Sequence, residues 1–193
     1  MVGVRQFDEE DAIEKALELF WKKGLSETSM QDLAEATGVQ RGSLYNAYGT
    51  KDALFLRAYA AYADSFLKQA RFALDAPTLQ KSLSRLFDFI IDSALTGEPA
   101  RGCLTTKAAL EGESIGDSIR ASLQHLLDSL EDMVRRRLSI PDEACMLALP
   151  AKQSAALVVA HTRGIVVIER VYGDRARMRA TANSLIKLLV VCK

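Results

Sequence analysis

Two short apolar-periodic segments, divided by a glycine, constrain this chain more than any other feature. Met30, Leu33 and Ala34 supply one apolar face before Gly38, and Val39, Leu44 and Tyr48 supply a second before Gly49. Such spacing predicts two brief helices with a glycine turn between them. Ser29-x-x-Asp32 and the overlapping Thr28-x-x-Gln31 both have the form of a capping box, so either residue can open the first of the pair. Upstream, Ile13, Ala16, Leu17, Phe20 and Trp21 repeat at helical spacing. Asp8 is the expected N-cap there, and Lys22-Lys23-Gly24 closes the helix with cations and a glycine. The expected run is Asp8 to Lys23.

Beyond Gly49 the pattern stays helical. Thr50 can cap a long helix that starts at Lys51 and runs towards Leu74. Pro77 is expected to open the next, which ends near Thr96. After a loop over Gly97 to Gly102 come a short helix to about Leu110 and a longer one from Ser114 to Leu138, with Arg135-Arg136-Arg137 facing its negative end. Pro141 and Pro150 bracket a looser connection. Two last helices, Ala151 to Tyr172 and Asp174 to Val191, are separated by Gly173. No strand alternation or repeat is visible, so the fold class is all-α.

Bulk properties narrow the function by exclusion. Hydrophobic residues make up 49% of 193 residues, enough for an ordinary core. Net charge is zero, so total charge does not advertise nucleic acid. Cys103, Cys145 and Cys192 are far apart, and only His125 and His161 could join them, so no metal or cofactor set forms at the usual spacings. The most apolar stretch, Ala155 to Ile168, is interrupted by His161 and Arg163 and falls short of the roughly 20 apolar residues a membrane span needs. These features predict a cytoplasmic chain. An enzyme would need an acid–base pair, nucleophile, metal set or phosphate-binding loop, and none is found.

The second short helix carries the residues suited to reading DNA. Arginine can pair with guanine O6 and N7, and glutamine or asparagine with adenine N6 and N7, which brings forward Gln40, Arg41 and Asn46. Ser43 adds a hydroxyl, Gly42 permits close backbone approach, and Tyr45 and Lys51 suit phosphate. From Thr37 to Lys51 there are two cations and no acid, whereas residues 1 to 57 hold seven Lys or Arg against ten Asp or Glu. That acidic excess opposes strong nonspecific binding but not a compact specific footprint. A plain helical hairpin, or a protein-interaction module that leaves DNA alone, stays open.

The run Gly38-Val39-Gln40-Arg41-Gly42-Ser43-Leu44-Tyr45-Asn46-Ala47-Tyr48-Gly49-Thr50-Lys51-Asp52-Ala53-Leu54-Phe55, with Gly24 and Thr28-Ser29-Met30-Gln31-Asp32-Leu33-Ala34 upstream, resembles the TetR family of bacterial transcriptional regulators. The resemblance is specific over about residues 8 to 57; further on it rests on helix order and on Gly102-Cys103-Leu104. It implies about nine helices, a DNA-binding domain over residues 1–50, and an effector-binding and dimerisation domain over 51–193. Carried over, Ser29 contacts phosphate, Gln31 reaches a base or phosphate, and Gln40, Arg41, Gly42 and Ser43 face the groove. Tyr45 and Lys51 lie on phosphates. Where many members carry Tyr-Tyr-His-Phe, this chain has Tyr45-Asn46-Ala47-Tyr48, so the histidine contact is absent at Ala47.

A ligand-responsive repressor also needs an effector site. Tyr59, Tyr62, Phe66, Phe87, Phe89 and Ile90 lie on the helices that surround the family's pocket, although aromatics at this spacing also build cores. His125 and His161 read either as ordinary helix residues or as ligand contacts. Cys103 sits at a helix start with Arg101 and Lys107 near in sequence, a setting that favours thiolate and an electrophile sensor; a small buried hydrophobe is the alternative. The last two helices are apolar over broad faces, and the resemblance implies a homodimer built on them.

Overall fold

The computed structural model describes residues 7–97, 100–112, 115–144 and 146–191. Among them the chain forms α1 (Glu9–Lys23), α2 (Met30–Thr37), α3 (Arg41–Tyr48), α4 (Lys51–Leu74), α5 (Leu79–Leu95), α6 (Leu104–Ala109), α7 (Asp117–Leu138), α8 (Pro141–Ala144), α9 (Ala151–Tyr172) and α10 (Arg175–Leu189). The all-α expectation holds. The helix beyond the expected nine is α8, a single turn in the connection that sequence alone left loose.

Capping chemistry explains where the helices begin. The Asp8 carboxylate accepts the Glu10 and Asp11 amides at 2.9 and 3.2 Å, taking up donors that a first turn leaves orphaned. Ser29, rather than Thr28, opens α2, with its hydroxyl and the Asp32 carboxylate in a reciprocal capping box. Thr28 is buried instead and donates to the Gly24 carbonyl at 2.5 Å. Thr50 accepts the Ala53 amide at 3.1 Å. Pro77 does not open α5; Thr78 caps it by accepting the Lys81 amide at 3.3 Å. The expected start at Ser114 lies outside the described residues, and α7 runs from Asp117.

The last helix also stops two residues earlier than its apolar pattern suggests. Leu147 and Val190 form an isolated antiparallel bridge. Ala148 donates to the Leu189 carbonyl at 2.9 Å, and Val191 donates to Met146 at 2.7 Å. Backbone committed to that pairing cannot continue the helix.

The chain divides into two compact units, residues 1–64 with 107–123 and residues 65–106 with 124–193. In the first, Ala12, Ile13, Ala16 and Phe20 of α1 are buried together with Leu33 of α2 and Leu44 of α3. An aromatic series runs through it: Phe20 meets Phe55 edge-on at 5.1 Å, Phe55 stacks on Tyr59 at 5.6 Å, and Tyr62 meets Trp21 edge-on at 5.1 Å. In the second unit α5 packs against α9 and α10, burying Leu83, Leu86, Phe87, Ile90, Val158, Val166, Met178 and Ile186. No helix among the described residues is long and apolar enough to cross a membrane.

Candidate nucleic-acid interface and effector residues

Gly38 ends α2 in the left-handed conformation, at φ 70°, which an L side chain adopts only at a cost. The chain turns there, buries Val39, and enters α3 at Arg41. Only Leu44 of α3 is fully buried. That single anchor leaves Gln40, Arg41, Gly42, Tyr45 and Asn46 exposed, with Ser43 partly covered. A Cβ added at Gly42 would meet nothing within 4 Å, so the helix start is open to a close-approaching partner.

Arg41 and Tyr45 organise one another, four residues apart on the same face. The guanidinium carbon lies 5.4 Å from the ring centroid, and Nη2 donates to the tyrosine hydroxyl at 3.4 Å. Gln40 stands at the N-cap without using its side chain for capping, so its amide stays available.

Three of the residues expected on phosphate or base are already engaged. The Ser29 hydroxyl accepts from the Asp32 amide at 3.1 Å and donates to the Asp32 carboxylate at 2.7 Å. Gln31 donates to Glu35 at 2.9 Å. Lys51 donates to the Leu25 carbonyl at 2.7 Å and to Ser26 at 3.4 Å, so it braces the turn between α1 and α2. Lys23 sits 2.8 Å from Asp32, and that hydrogen bond, followed by those from Ser29, holds the Asp32 carboxyl well below the usual carboxylate range.

The expected effector residues are divided between the two units. Tyr62 belongs to the aromatic series of the first unit. Phe66 and Phe89 pair at 5.2 Å in the second. His125 is exposed on α7. His161 packs edge-on against Phe87 at 5.7 Å; burial lowers its pKa, opposed by a hydrogen bond with the Thr181 backbone.

Cys103 is 8% exposed, and the partner the structure gives it is one that sequence proximity missed: Arg163 of α9 donates through Nη1 to Sγ at 3.0 Å. The same guanidinium donates through Nε to Thr162 at 3.1 Å, while Nη2 is buried with no partner among the described residues. Lys107, expected beside the thiol, commits its ammonium to the Trp21 and Lys22 carbonyls at 2.6 and 3.0 Å. An arginine interrupting the apolar run of α9 was the available signal for Arg163. Among the described residues no group of three or more metal-ligating side chains could hold an ion.

A buried-faced α2, a left-handed glycine turn and an α3 whose exposed side is polar define a helix-turn-helix protein. Residues 12–58 match the model of the bacterial regulatory proteins of the tetR family. The chain is 32% identical over 108 residues to the HTH-type transcriptional regulator YezE of Bacillus subtilis (strain 168), covering 55% of this chain and 56% of that protein. It is 31% identical over 99 residues to the HTH-type transcriptional repressor ComR of Escherichia coli (strain K12), covering 50% of this chain and 47% of that one. The chain thus spans about half the length of these curated relatives. Nearly its whole length matches the solved structure of a cysteine mutant of the TetR family transcriptional regulator CifR complexed with double-strand operator DNA. The TM-score is 0.85 at 26% identity, covering 96% of this chain and 98% of that one. Residues 12–58 thus resemble the tetR family's DNA-binding region, and the chain as a whole is similar in fold to a TetR family regulator.

Proposed function

We propose that this protein is a ligand-responsive, DNA-binding transcriptional repressor that acts in the cytoplasm as a homodimer. Residues 1–50 read one half of a pseudo-palindromic operator, and residues 51–193 bind the effector and form the dimer through the last two helices. The observation that carries the reading is α3, which buries Leu44 and presents Gln40, Arg41, Gly42, Tyr45 and Asn46 to solvent. Their side chains supply the donors and acceptors that major-groove base edges and flanking phosphates take up. Two such heads on a two-fold axis impose a symmetric half-site arrangement. The structurally similar CifR mutant binds operator DNA, which supports the same reading here.

Release requires an effector that binds the DNA-free arrangement more tightly than the DNA-bound one. Cys103 with Arg163 favours an electrophile as that effector, because a guanidinium beside sulfur stabilises thiolate, the nucleophilic form. A small molecule held without covalent attack, near Phe66 and Phe89, is the other effector class. A protein-interaction module is the competing reading, supported by the acidic α1.

Titrating labelled DNA from upstream of the protein's own coding region, at several salt concentrations, tests the proposal. A specific, salt-dependent shift is expected. No specific shift with any neighbouring intergenic DNA would overturn the repressor in favour of the interaction module.

A further inference from the structure

Arg163 is a cation set in an apolar stretch of α9, and its hydrogen bonding is incomplete. A guanidinium carries five N–H donors. Nε donates to the Thr162 hydroxyl at 3.1 Å and Nη1 donates once to the Cys103 sulfur at 3.0 Å, so three of the five are left over. Two of these are on Nη2, which is buried without a partner among the described residues. Buried donors are nearly always satisfied, and an orphan on a charged group is the costliest kind. Thr106, one turn along from Cys103 on α6, has a buried hydroxyl that likewise lacks a partner. Arg170, two turns further along the same face of α9, donates to the Arg101 carbonyl at 3.2 Å. Among the described residues neither Arg163 nor Arg170 has a carboxylate partner, whereas Arg175 and Arg179 of α10 are matched with Asp92 and Asp88. The segment from Arg101 to Cys103 is therefore met by two cations of one helix, all within the second unit, and by no described counter-charge.

Resting on the ligand-responsive reading above, we infer that Arg163 anchors a carboxylate-binding site in the second unit, so that the effector is a small organic acid. A carboxylate accepts two parallel N–H bonds from a guanidinium and supplies the missing charge. Charge balance selects it over a phosphate. One buried cation is neutralised by a monoanion, whereas a dianion would leave an excess negative charge out of water. A Cys103 thiolate could balance Arg163 through Nη1, but it would leave the Nη2 donors unmet. Thiolate and ligand instead compete for one guanidinium. A carboxylate on Nη2 places a second negative charge beside the sulfur, which disfavours thiolate and slows its chemistry. Cys103 is thus a built-in reporter of whether the site is filled.

The test uses the whole chain, with sodium benzoate and sodium hexanoate as probes and benzamide and hexanamide as their uncharged counterparts. Sodium chloride holds the ionic strength constant. Alkylation of Cys103 by N-ethylmaleimide, read by mass spectrometry at that residue, reports occupancy. At about 10 mM, well above the millimolar dissociation constants ordinary for ligands this small, at least one carboxylate should slow alkylation by about fivefold or more. Its amide should bind about tenfold more weakly, the worth of one charge-assisted hydrogen bond. Arg163→Met should abolish protection, taken as the ratio of its own rates with and without probe. Arg170→Met, which removes an equal charge about 10 Å along the helix, should keep it. Equal protection by acid and amide, protection that survives Arg163→Met, or no protection by either carboxylate overturns the site. Should Arg163→Met fail to fold, the comparison of acid with amide in the wild type decides. Absence of a specific operator shift by the wild type overturns the repressor reading and leaves the carboxylate site standing.

Discussion

Arg163 lies sixty residues after Cys103 in sequence, yet its Nη1 donates to the Cys103 sulfur at 3.0 Å. The sulfur thus accepts from a permanent cation of another helix, to which its position in sequence gives no pointer. A cation beside a thiol favours the charged form and so raises the fraction able to attack an electrophile.

Removing that cation should slow Cys103 chemistry. Arg163→Met is expected to lower the rate of alkylation by N-ethylmaleimide at neutral pH by about tenfold, the effect of one unit in thiol acidity. Arg163→Lys should recover part of the rate, because charge is retained while the planar donor pair is not. Equal rates in all three proteins would remove Arg163 from the sensor.

Arg137 and Glu143 predict a stability that depends on acid. The Arg137 side chain is 10% exposed, forms an ion pair with Glu143, and donates to Ser82 at 2.8 Å and to the Ala76 carbonyl at 3.3 Å. The hydrogen bond from Arg137 holds the Glu143 carboxyl below its ordinary value of 4.5, with a smaller contribution from the Leu79 amide. The folded protein therefore takes up this proton less readily than the unfolded chain. Its stabilisation is complete above 4.5 and is lost as pH falls through the lower folded value. Glu143→Gln should cost about 3 kcal/mol near neutral pH, since it leaves a largely buried guanidinium without its counter-charge. Thermal melts should show the gap to wild type closing on acidification. A gap independent of pH would contradict the pairing.

Gly24 is constrained twice. Its φ is 91°, and a Cβ would meet the Glu111 carboxylate at 2.9 Å. Gly24→Ala should destabilise by about 2 kcal/mol, from backbone strain together with the clash. Combining it with Glu111→Ala should relieve the steric part and leave the backbone part, so the two effects should be less than additive in denaturant melts. Strict additivity would place the Glu111 carboxylate elsewhere.

What could be read from the sequence was local, and what could not was long-range. Asp8, Ser29 and Thr50 announce helix starts because capping acts over three residues, and all three cap as expected. Leu33 and Leu44 reveal the paired helices because burial imposes their spacing. Lys51 was half legible: a cation beside a recognition helix suits phosphate, but nothing in sequence shows that two carbonyls some 25 residues upstream also receive it. Arg137 was read as a helix-end charge, yet it is a largely buried hub for partners up to 61 residues away. Glu111 is not announced by its sequence neighbours, since the Leu25 and Ser26 donors it accepts from lie about 85 residues earlier.

Arg41 and Lys51 should separate when DNA binding is measured. Arg41 is exposed and its guanidinium is oriented by Tyr45, so Arg41→Ala should weaken discrimination at one base position by about 1–3 kcal/mol. Lys51→Ala should weaken binding across all sequences. Because the ammonium also braces residues 25 and 26, that variant should melt earlier as well, whereas Arg41→Ala should not. Unchanged melting of Lys51→Ala, together with a flatter salt slope, would assign Lys51 to phosphate alone.

The last two helices carry the prediction for assembly. Their inward residues Val158, Val166, Met178 and Ile186 are buried, yet Val171 is 77% exposed, Leu188 is 72% exposed, and Leu157, Val167 and Ile168 are also at the surface. Single exposed apolar residues such as Phe72 and Leu110 are ordinary, but a set concentrated on two adjacent helices is the mark of an interface. A second copy of the chain would cover the same set on both sides of a two-fold axis. Sedimentation should therefore find a dimer at micromolar concentration. Val171→Glu with Leu188→Glu should yield a monomer of unchanged helicity, because a carboxylate left unpaired in an apolar interface carries a large desolvation penalty. That monomer should also lose most of its operator affinity, since each head then binds a half-site alone. A wild type that sediments as a monomer, or a double variant that remains a dimer, would move the interface away from α9 and α10.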